Sequence, residues 1–238
     1  ASAKFTTVGN SLNIVLTNTS LADVSVPQDV LTGLFFSMGG TLTKVSALLA
    51  SGSQWYYIGA NAPVTNVSGE YAYSGALSGM PGGATKGVSA AGLGKFGPGD
   101  LFAAPIDGVN AILTNTGLPD GLGAGILSAG DNTATGNNGV TNASGGLIKN
   151  AVQFNFTWTG GPNQTLDQAI GGLASLSFQY GTALSEPNIP GGGPQCSNGA
   201  TNFPLCNNQD VQTPEPLSLT LLGTGLAGLG FMRRRKAA

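Results

Sequence analysis

The chain has 238 residues, of which 39 are glycine, 13 proline, two cysteine and none histidine. Only 8% are charged, against about 25% in an ordinary soluble domain. Without histidine the chain can build neither a Ser-His-Asp or Cys-His nucleophile nor a zinc site that needs imidazole. The formal net charge of −2 lacks the excess of positive charge that is typical of nucleic-acid-binding proteins. Hydrophobic residues make up 41%, so we expect one apolar core and one domain, at most two.

Residues 4–185 show mainly the two-residue periodicity of strands that have one wet face. Apolar and polar side chains alternate most clearly through Ala151–Thr159, and Ser11–Thr17 and Ser175–Gly181 repeat the pattern. Clusters of Gly, Asn, Asp and Pro stand between such segments, as all-β connections require. Further strand candidates are Leu31–Met38, Thr41–Leu49, Gln54–Ile58 and Glu70–Ser74.

The helical signal of the body is confined to Leu166–Leu173, which follows Asn163 and Thr165 as candidate caps. Strands therefore outnumber helices by far, and the class predicted is all-β. We expect residues 1–185 to form an antiparallel β-sandwich or jelly-roll-like body with long glycine-rich loops.

Residues 77–147 are rich in glycine and poor in aromatic side chains. Long loops are one interpretation, and small strands packed through glycine and alanine against another copy of the chain are the alternative. Hard cations such as Ca²⁺ take carboxylate and carbonyl oxygens from flexible loops of this kind. A structural calcium site is therefore one hypothesis, beside plain surface carboxylates, and no other cofactor is expected. Its candidate ligands are Asp100, Asp107, Asp120 and Asp131.

Residues 186–213 are dense in Pro, Gly and Asn and have no apolar periodicity, which predicts a linker or stalk. The two cysteines of the chain, Cys196 and Cys206, lie in this segment, ten positions apart. In an exported protein two such cysteines are expected to form a disulfide. The spacing is not that of a C-x-x-C redox motif, so the disulfide is interpreted as a structural staple.

The segment Leu217–Met232 contains sixteen residues without a charge. As a helix it would be about 24 Å long, slightly short of a hydrocarbon core of about 30 Å. The basic residues Arg233, Arg234 and Arg235 follow directly and should stay on the cytoplasmic side of a membrane. A buried terminal helix of the body is the alternative, although four glycines argue against it, since each weakens a helix in water by about 1 kcal/mol.

Directly before the apolar segment stand Pro214, Glu215 and Pro216, two prolines that present one extended carboxylate. Residues 214–238 thus combine this tripeptide, the apolar segment and the arginine cluster. Together they resemble the PEP-CTERM sorting signal of Gram-negative bacteria. The resemblance implies that the tripeptide is the recognition element, the apolar segment the membrane span and the arginines the stop. It covers about 25 of the 238 residues, so it leaves the body unexplained.

Members of that family are exported with a cleavable signal, held transiently in the inner membrane and processed by the membrane enzyme exosortase. The resemblance implies the same route here, with the cell surface or an extracellular polysaccharide matrix as destination. The start Ala1-Ser2-Ala3 is expected to result from, or to lie next to, a signal-peptidase site.

Two hypotheses for the function follow, and neither is an enzyme, because nothing singles out a catalytic pair among the scattered carboxylates. The first is a structural protein of the cell surface or of a biofilm matrix. Self-association of this protein is expected, because its low charge leaves little repulsion between copies. The second is a carbohydrate-binding module for exopolysaccharide. Its candidate stacking rings are Trp55, Tyr57 and Tyr73, for which core packing is the alternative.

Overall fold

The computed structural model describes residues 1–56, 65–103, 119, 121–141, 146–161 and 163–192, and the backbone of residues 195–196 and 208–212. Strands dominate this part of the chain, so the prediction of an all-β fold is confirmed. The strands are β1 (Ser2–Val8), β2 (Ser11–Thr17), β3 (Leu31–Ser37), β4 (Thr41–Leu49), β5 (Gln54–Tyr56), β6 (Ala72–Ser74), β7 (Lys86–Ser89), β8 (Ile126–Leu127), β9 (Leu147–Lys149), β10 (Ala151–Thr159), β11 (Ala174–Tyr180), β12 (Asn188–Pro190), β13 (Gln195–Cys196) and β14 (Asn208–Gln212).

Helices are short and connect the strands. The helix α2 (Leu166–Gly171) begins after Thr165, whose hydroxyl accepts the N–H of Gln168 while the Gln168 side chain accepts the N–H of Thr165. This reciprocal capping box confirms Thr165 as the predicted cap. The α-helices are α1 (Asn138–Thr141) and α2 (Leu166–Gly171), and the 3₁₀ helices are Pro27–Asp29, Ser68–Glu70, Pro81–Gly83 and Pro98–Asp100.

The strands form two sheets. The first has the order β13-β14-β1-β2-β10-β4 and is antiparallel throughout. The second has the order β12-β11-β3-β8-β9-β5, and β7 pairs with both β3 and β6. Among the pairs of the second sheet only β8 and β9 run parallel. Most neighbouring strands are therefore antiparallel, as the alternating sequence pattern predicts.

Alternation sets the inner face of the first sheet. In β10 the side chains of Val152, Phe154, Phe156 and Trp158 are buried, whereas Thr157 between them is exposed.

Aromatic contacts join the two sheets. The rings of Phe5 in β1 and Phe36 in β3 lie 5.7 Å apart, and those of Phe156 in β10 and Tyr73 in β6 lie 4.8 Å apart, both edge to face. The apolar faces of the two sheets thus share one core.

The strand β3 is buried on both faces. Phe36 points to the shared core, while Phe35 points the other way into a second cluster with Met80 and Phe96. The rings of Phe35 and Phe96 stack with their centroids 6.5 Å apart. The described part of the glycine-rich region therefore packs on its own sheet. The prediction that this region is simply long loops is wrong for β7, which is a buried strand.

The linker prediction is also wrong in part, because the sheets continue beyond residue 185. The strand β12 pairs with β11, and Ile189 packs against the shared core. The strands β13 and β14 extend the first sheet next to β1. Strand pairing uses backbone groups, so it needs no apolar periodicity in the added segment.

The membrane and disulfide predictions fall mainly on residues that are not described. Cys206 and the predicted hydrophobic helix Leu217–Met232 lie outside the described residues, and of Cys196 only the backbone is described. Over the described ranges, none of the helices has the length and apolarity needed to cross a membrane.

Replacing Gly87 by alanine tests the packing of β7 on β3. A Cβ at this position would collide with the ring of Phe35, and it would lie 3.1 Å from the carbonyl oxygen of Leu34. We expect Gly87→Ala to lower the free energy of unfolding in urea by about 1–3 kcal/mol, the usual cost of overpacking. Gly99→Ala is the control, because a Cβ there meets nothing within 4 Å. Equal losses in the two variants would contradict this account.

Candidate functional site

The predicted sugar-stacking rings do not form an exposed platform. Trp55 and Tyr73 are only 9% and 6% exposed and belong to the shared core, and Tyr57 lies outside the described residues. Trp55 packs against Gly146, where a Cβ would come within 2.8 Å of the indole ring. The assignment of Trp55 and Tyr73 to sugar binding is therefore wrong, because inward-facing positions of β5 and β6 hold them in the core.

An exposed aromatic side chain lies between two of these positions in sequence. Tyr56 is 43% exposed and borders a shallow pocket that also contains Thr133, Thr141 and Leu147. Alternation along β5 turns Tyr56 away from the core when Trp55 turns toward it. The sequence pattern carries this signal, but it does not say which of the two rings is the buried one.

The predicted calcium ligands serve separate loops. The Asp100 carboxylate accepts the N–H of Gly97 at 2.8 Å, whereas the Asp131 carboxylate accepts the N–H of Val24 at 2.7 Å. Asp107 and Asp120 lie outside the described residues. Where the structure describes the chain, no group of three or more acidic or thiol side chains could hold a metal ion. The four-aspartate site is thus not assembled from Asp100 and Asp131.

Asp131 instead lies beside an acid that the sequence analysis did not single out, Asp23. Burial raises the pKa of Asp131, and contact with Asp23 raises it further. The pKa of Asp23 is lowered by hydrogen bonds from the Thr135 hydroxyl and the Asn132 N–H. The two carboxyl groups are 108 positions apart in sequence, so no local motif indicates the pair.

The outer face of the first sheet is mainly polar, and in β1 it also carries the exposed Lys4 and Val8. One row across the sheet places Thr6, Asn13, Asn155 and Ser46 next to each other in register. Within it the Asn155 amide donates to the Ser46 hydroxyl at 2.8 Å and accepts from the Gln153 amide at 2.8 Å. This face offers hydroxyl and amide groups to a partner surface without a large desolvation of charge.

The edge of that sheet formed by β4 is protected against pairing with another strand. Val45 of β4 is an extra residue in the pairing with β10, which makes a bulge. The Lys44 ammonium donates to the carbonyl oxygens of Gly99 and Leu101, both at 2.8 Å. Further along, the N–H of Val67 donates to the carbonyl oxygen of Ala47. A bulge, a lysine and a covering segment all oppose edge-to-edge pairing of copies.

The strand β14 leads directly to the predicted sorting signal. Its register with β1 places Gln212 opposite Ser2, the first residue of β1. One residue, Thr213, separates Gln212 from Pro214 in sequence. The signal residues Pro214, Glu215, Pro216, Arg233, Arg234 and Arg235 lie outside the described residues.

Two neighbouring tyrosines give a matched test of the core assignment. The Tyr71 hydroxyl donates to the carbonyl oxygen of Ala124 at 2.6 Å, whereas the Tyr73 hydroxyl is buried without a hydrogen-bond partner among the described residues. We expect Tyr71→Phe to lower the free energy of unfolding by about 1–3 kcal/mol, and Tyr73→Phe to leave it unchanged or raise it. Thermal and urea unfolding measure both. A larger loss for Tyr73→Phe would contradict the lack of a hydrogen-bond partner for its hydroxyl in the described part of the chain.

The comparisons with known proteins concern the end of the chain. Residues 212–236 match the family described as the PEP-CTERM protein-sorting motif. No match was found among curated proteins or among solved structures. The match begins at the last residue of β14 and includes the proline–glutamate–proline tripeptide, the apolar segment and the arginines. Residues 212–236 therefore carry a PEP-CTERM protein-sorting motif, which implies export and sorting by exosortase, a membrane enzyme, to the cell surface.

Proposed function

We propose that the chain is a non-enzymatic structural protein of the cell surface or extracellular matrix of a Gram-negative bacterium, and that it self-associates. The sorting motif at residues 212–236 is the observation that carries the proposal. It gives the protein a destination at the cell surface, and only 8% of its residues are charged, so copies repel one another little. The inner membrane is then a transient stage, on which exosortase acts.

The use of polar groups inside the body supports a structural role. The Thr32 hydroxyl donates to the carbonyl oxygen of Gly181 at 2.5 Å. The Gln179 amide donates to the carbonyl oxygens of Tyr180 and Ala183 at 2.8 and 2.9 Å. Asn18 donates to the carbonyl oxygen of Ile126 at 3.1 Å. These buried side chains satisfy backbone groups, which stabilises the fold and leaves them no spare group for a substrate.

Self-association is supported by the outer face of the first sheet rather than by its edge. The edge strand β4 is guarded by its bulge and by Lys44. The face carries threonine, asparagine and serine, and its exposed charge in β1 is Lys4. Two such faces can approach with little charge repulsion and can exchange hydrogen bonds between hydroxyl and amide groups.

A carbohydrate-binding module for exopolysaccharide is the second candidate. The exposed ring of Tyr56, next to Thr133 and Thr141 in a shallow pocket, is the observation that favours it. An aromatic face with adjacent polar groups is the usual arrangement for holding an amphipathic ligand. One ring is a smaller platform than the three that the sequence predicted, so the structural role has more support.

Intact mass tests processing at the sorting motif. We expect protein recovered from the outer surface or medium of the native host to end near Pro214–Pro216, and Glu215→Ala to prevent this shortening because it removes the carboxylate between the prolines. Asp29→Asn, an exposed acid of the body, is the control and should be processed normally. Wild-type protein that still contains Leu217–Ala238 would contradict processing.

A lysine placed on the outer face tests self-association. Thr157 is exposed and lies between Ser11 of β2 and Thr43 of β4 in register. We expect wild-type protein to associate with increasing concentration in analytical ultracentrifugation, and Thr157→Lys to remain monomeric because like charges then meet at the face. Ser51→Lys, in an exposed turn, is the control for the added charge. A monomeric wild type, or equal association of Thr157→Lys, would overturn this surface.

A further inference from the structure

Two loops pack so closely that their aspartates meet. One loop follows β2 and contains Asp23, and the other follows β8 and contains Asp131. A Cβ at Gly130 would lie 2.6 Å from the carbonyl oxygen of Leu21, and one at Gly136 would lie 3.0 Å from that of Val24. Glycine at both positions therefore allows the backbones of the two loops to touch, which brings the carboxyl groups into contact.

One carboxylate oxygen of the buried Asp131 lacks a hydrogen-bond donor in the part of the chain that the structure describes. Asp131 is only 4% exposed, and its Oδ1 accepts the N–H of Val24 at 2.7 Å. Its Oδ2 is buried without a hydrogen-bond partner among the described residues. The neighbouring group is the Asp23 carboxyl, within hydrogen-bonding reach. A buried carboxylate oxygen without a donor carries a large desolvation cost unless a proton or a cation compensates it.

The nearest ammonium does not compensate this oxygen. The Lys149 Nζ donates to the backbone carbonyl oxygen of Asp131 at 2.7 Å rather than to its carboxylate. Lys149 lowers the local negative charge, but two carboxylates still face one lysine. A net negative charge therefore remains where Asp131 Oδ2 and the Asp23 carboxylate meet.

Two further oxygens lie near the Asp23 carboxylate, the hydroxyl oxygen of Thr135 and the carbonyl oxygen of Asn132. Asp23 Oδ1 accepts the N–H of Asn132 at 2.9 Å, and Asp23 Oδ2 accepts the Thr135 hydroxyl. The same Thr135 hydroxyl oxygen lies 2.7 Å from the carbonyl oxygen of Asn132, which also accepts the backbone N–H of Thr135 at 2.9 Å. The single hydroxyl proton can satisfy only one of its two acceptors. When it is donated to Asp23, the hydroxyl oxygen and the Asn132 carbonyl oxygen each keep a lone pair for another partner.

We propose that Asp23 and Asp131, with the Thr135 hydroxyl and the Asn132 carbonyl oxygen, bind a hard divalent cation, foremost Ca²⁺. Calcium takes six to eight oxygen ligands, and carboxylate, carbonyl and hydroxyl oxygens with water are its usual set. Asp23 and Thr135 are exposed, so solvent can complete the shell. The site differs from the four-aspartate hypothesis, because Asp23 replaces Asp100 as the partner of Asp131.

The proposal predicts a thermal response to calcium. Sites on extracellular modules bind Ca²⁺ with Kd values of about 0.1–1 mM. For a Kd of about 1 mM, 10 mM CaCl₂ should raise the Tm of the EDTA-treated 238-residue chain by about 4 °C relative to NaCl of equal ionic strength. Isothermal titration with CaCl₂ gives the affinity independently of unfolding.

Two variants and one control separate the site from general salt effects. Asp131→Asn keeps the acceptor for Val24 N–H and offers an amide donor to Asp23, so it should fold, show a higher Tm in EDTA than wild type, and lose the calcium response. Thr135→Ala, at an exposed position, should weaken calcium binding. Asp29→Asn should respond like wild type.

Two outcomes would overturn the proposal. The first is a wild-type chain with no calcium response, and a higher Tm of Asp131→Asn in EDTA would then indicate that a proton shared by the two carboxyl groups satisfies the pair. The second is a calcium response that Asp131→Asn retains. A failure of Asp131→Asn to fold leaves the wild-type titration and Thr135→Ala to decide.

Discussion

Burial of β3 on both faces is the constraint on which the two layers of the body depend. Phe36 meets Phe5 of the first sheet, and Phe35 meets Phe96 on the opposite side. The strand pairs with β11 on one side and with β7 and β8 on the other. The glycine-rich segment is then a cover for Phe35 rather than a set of free loops, because water would otherwise contact an aromatic ring of the central strand.

Scarcity of charge has consequences inside and outside the body. Buried polar side chains bind the backbone, as Thr32 and Gln179 do, so much of the interior is stabilised by neutral hydrogen bonds and apolar burial. The outer face of the first sheet is left with hydroxyl and amide groups. Where acids do meet, at Asp23 and Asp131, the neighbouring lysine, Lys149, does not balance two carboxylates, and this pair is the cation site that we propose.

The sequence predicts much of the fold and little of the candidate sites. The bounds of β2 and β10 agree with the predicted segments, because alternation over seven to nine residues is unambiguous. The bounds of β4 agree as well, although the bulge at Val45 interrupts its alternation. The buried position of Tyr73 could not be read from its segment, since a strand pattern does not say which face is wet. The contact of Asp23 with Asp131 depends on the packing of two distant loops, which no local pattern encodes.

The position of β14 links the body to the sorting motif. An enzyme that acts near Pro214–Pro216 works two to four positions after Gln212, the last residue of β14, not at the end of a long stalk. A product that ends there keeps β14 on β1. The backbone groups of β1 on that side then stay paired after release, and the protein enters the extracellular space without a newly opened sheet edge. The association that we propose would then use the outer face of the sheet, where side chains rather than backbone groups decide the contact.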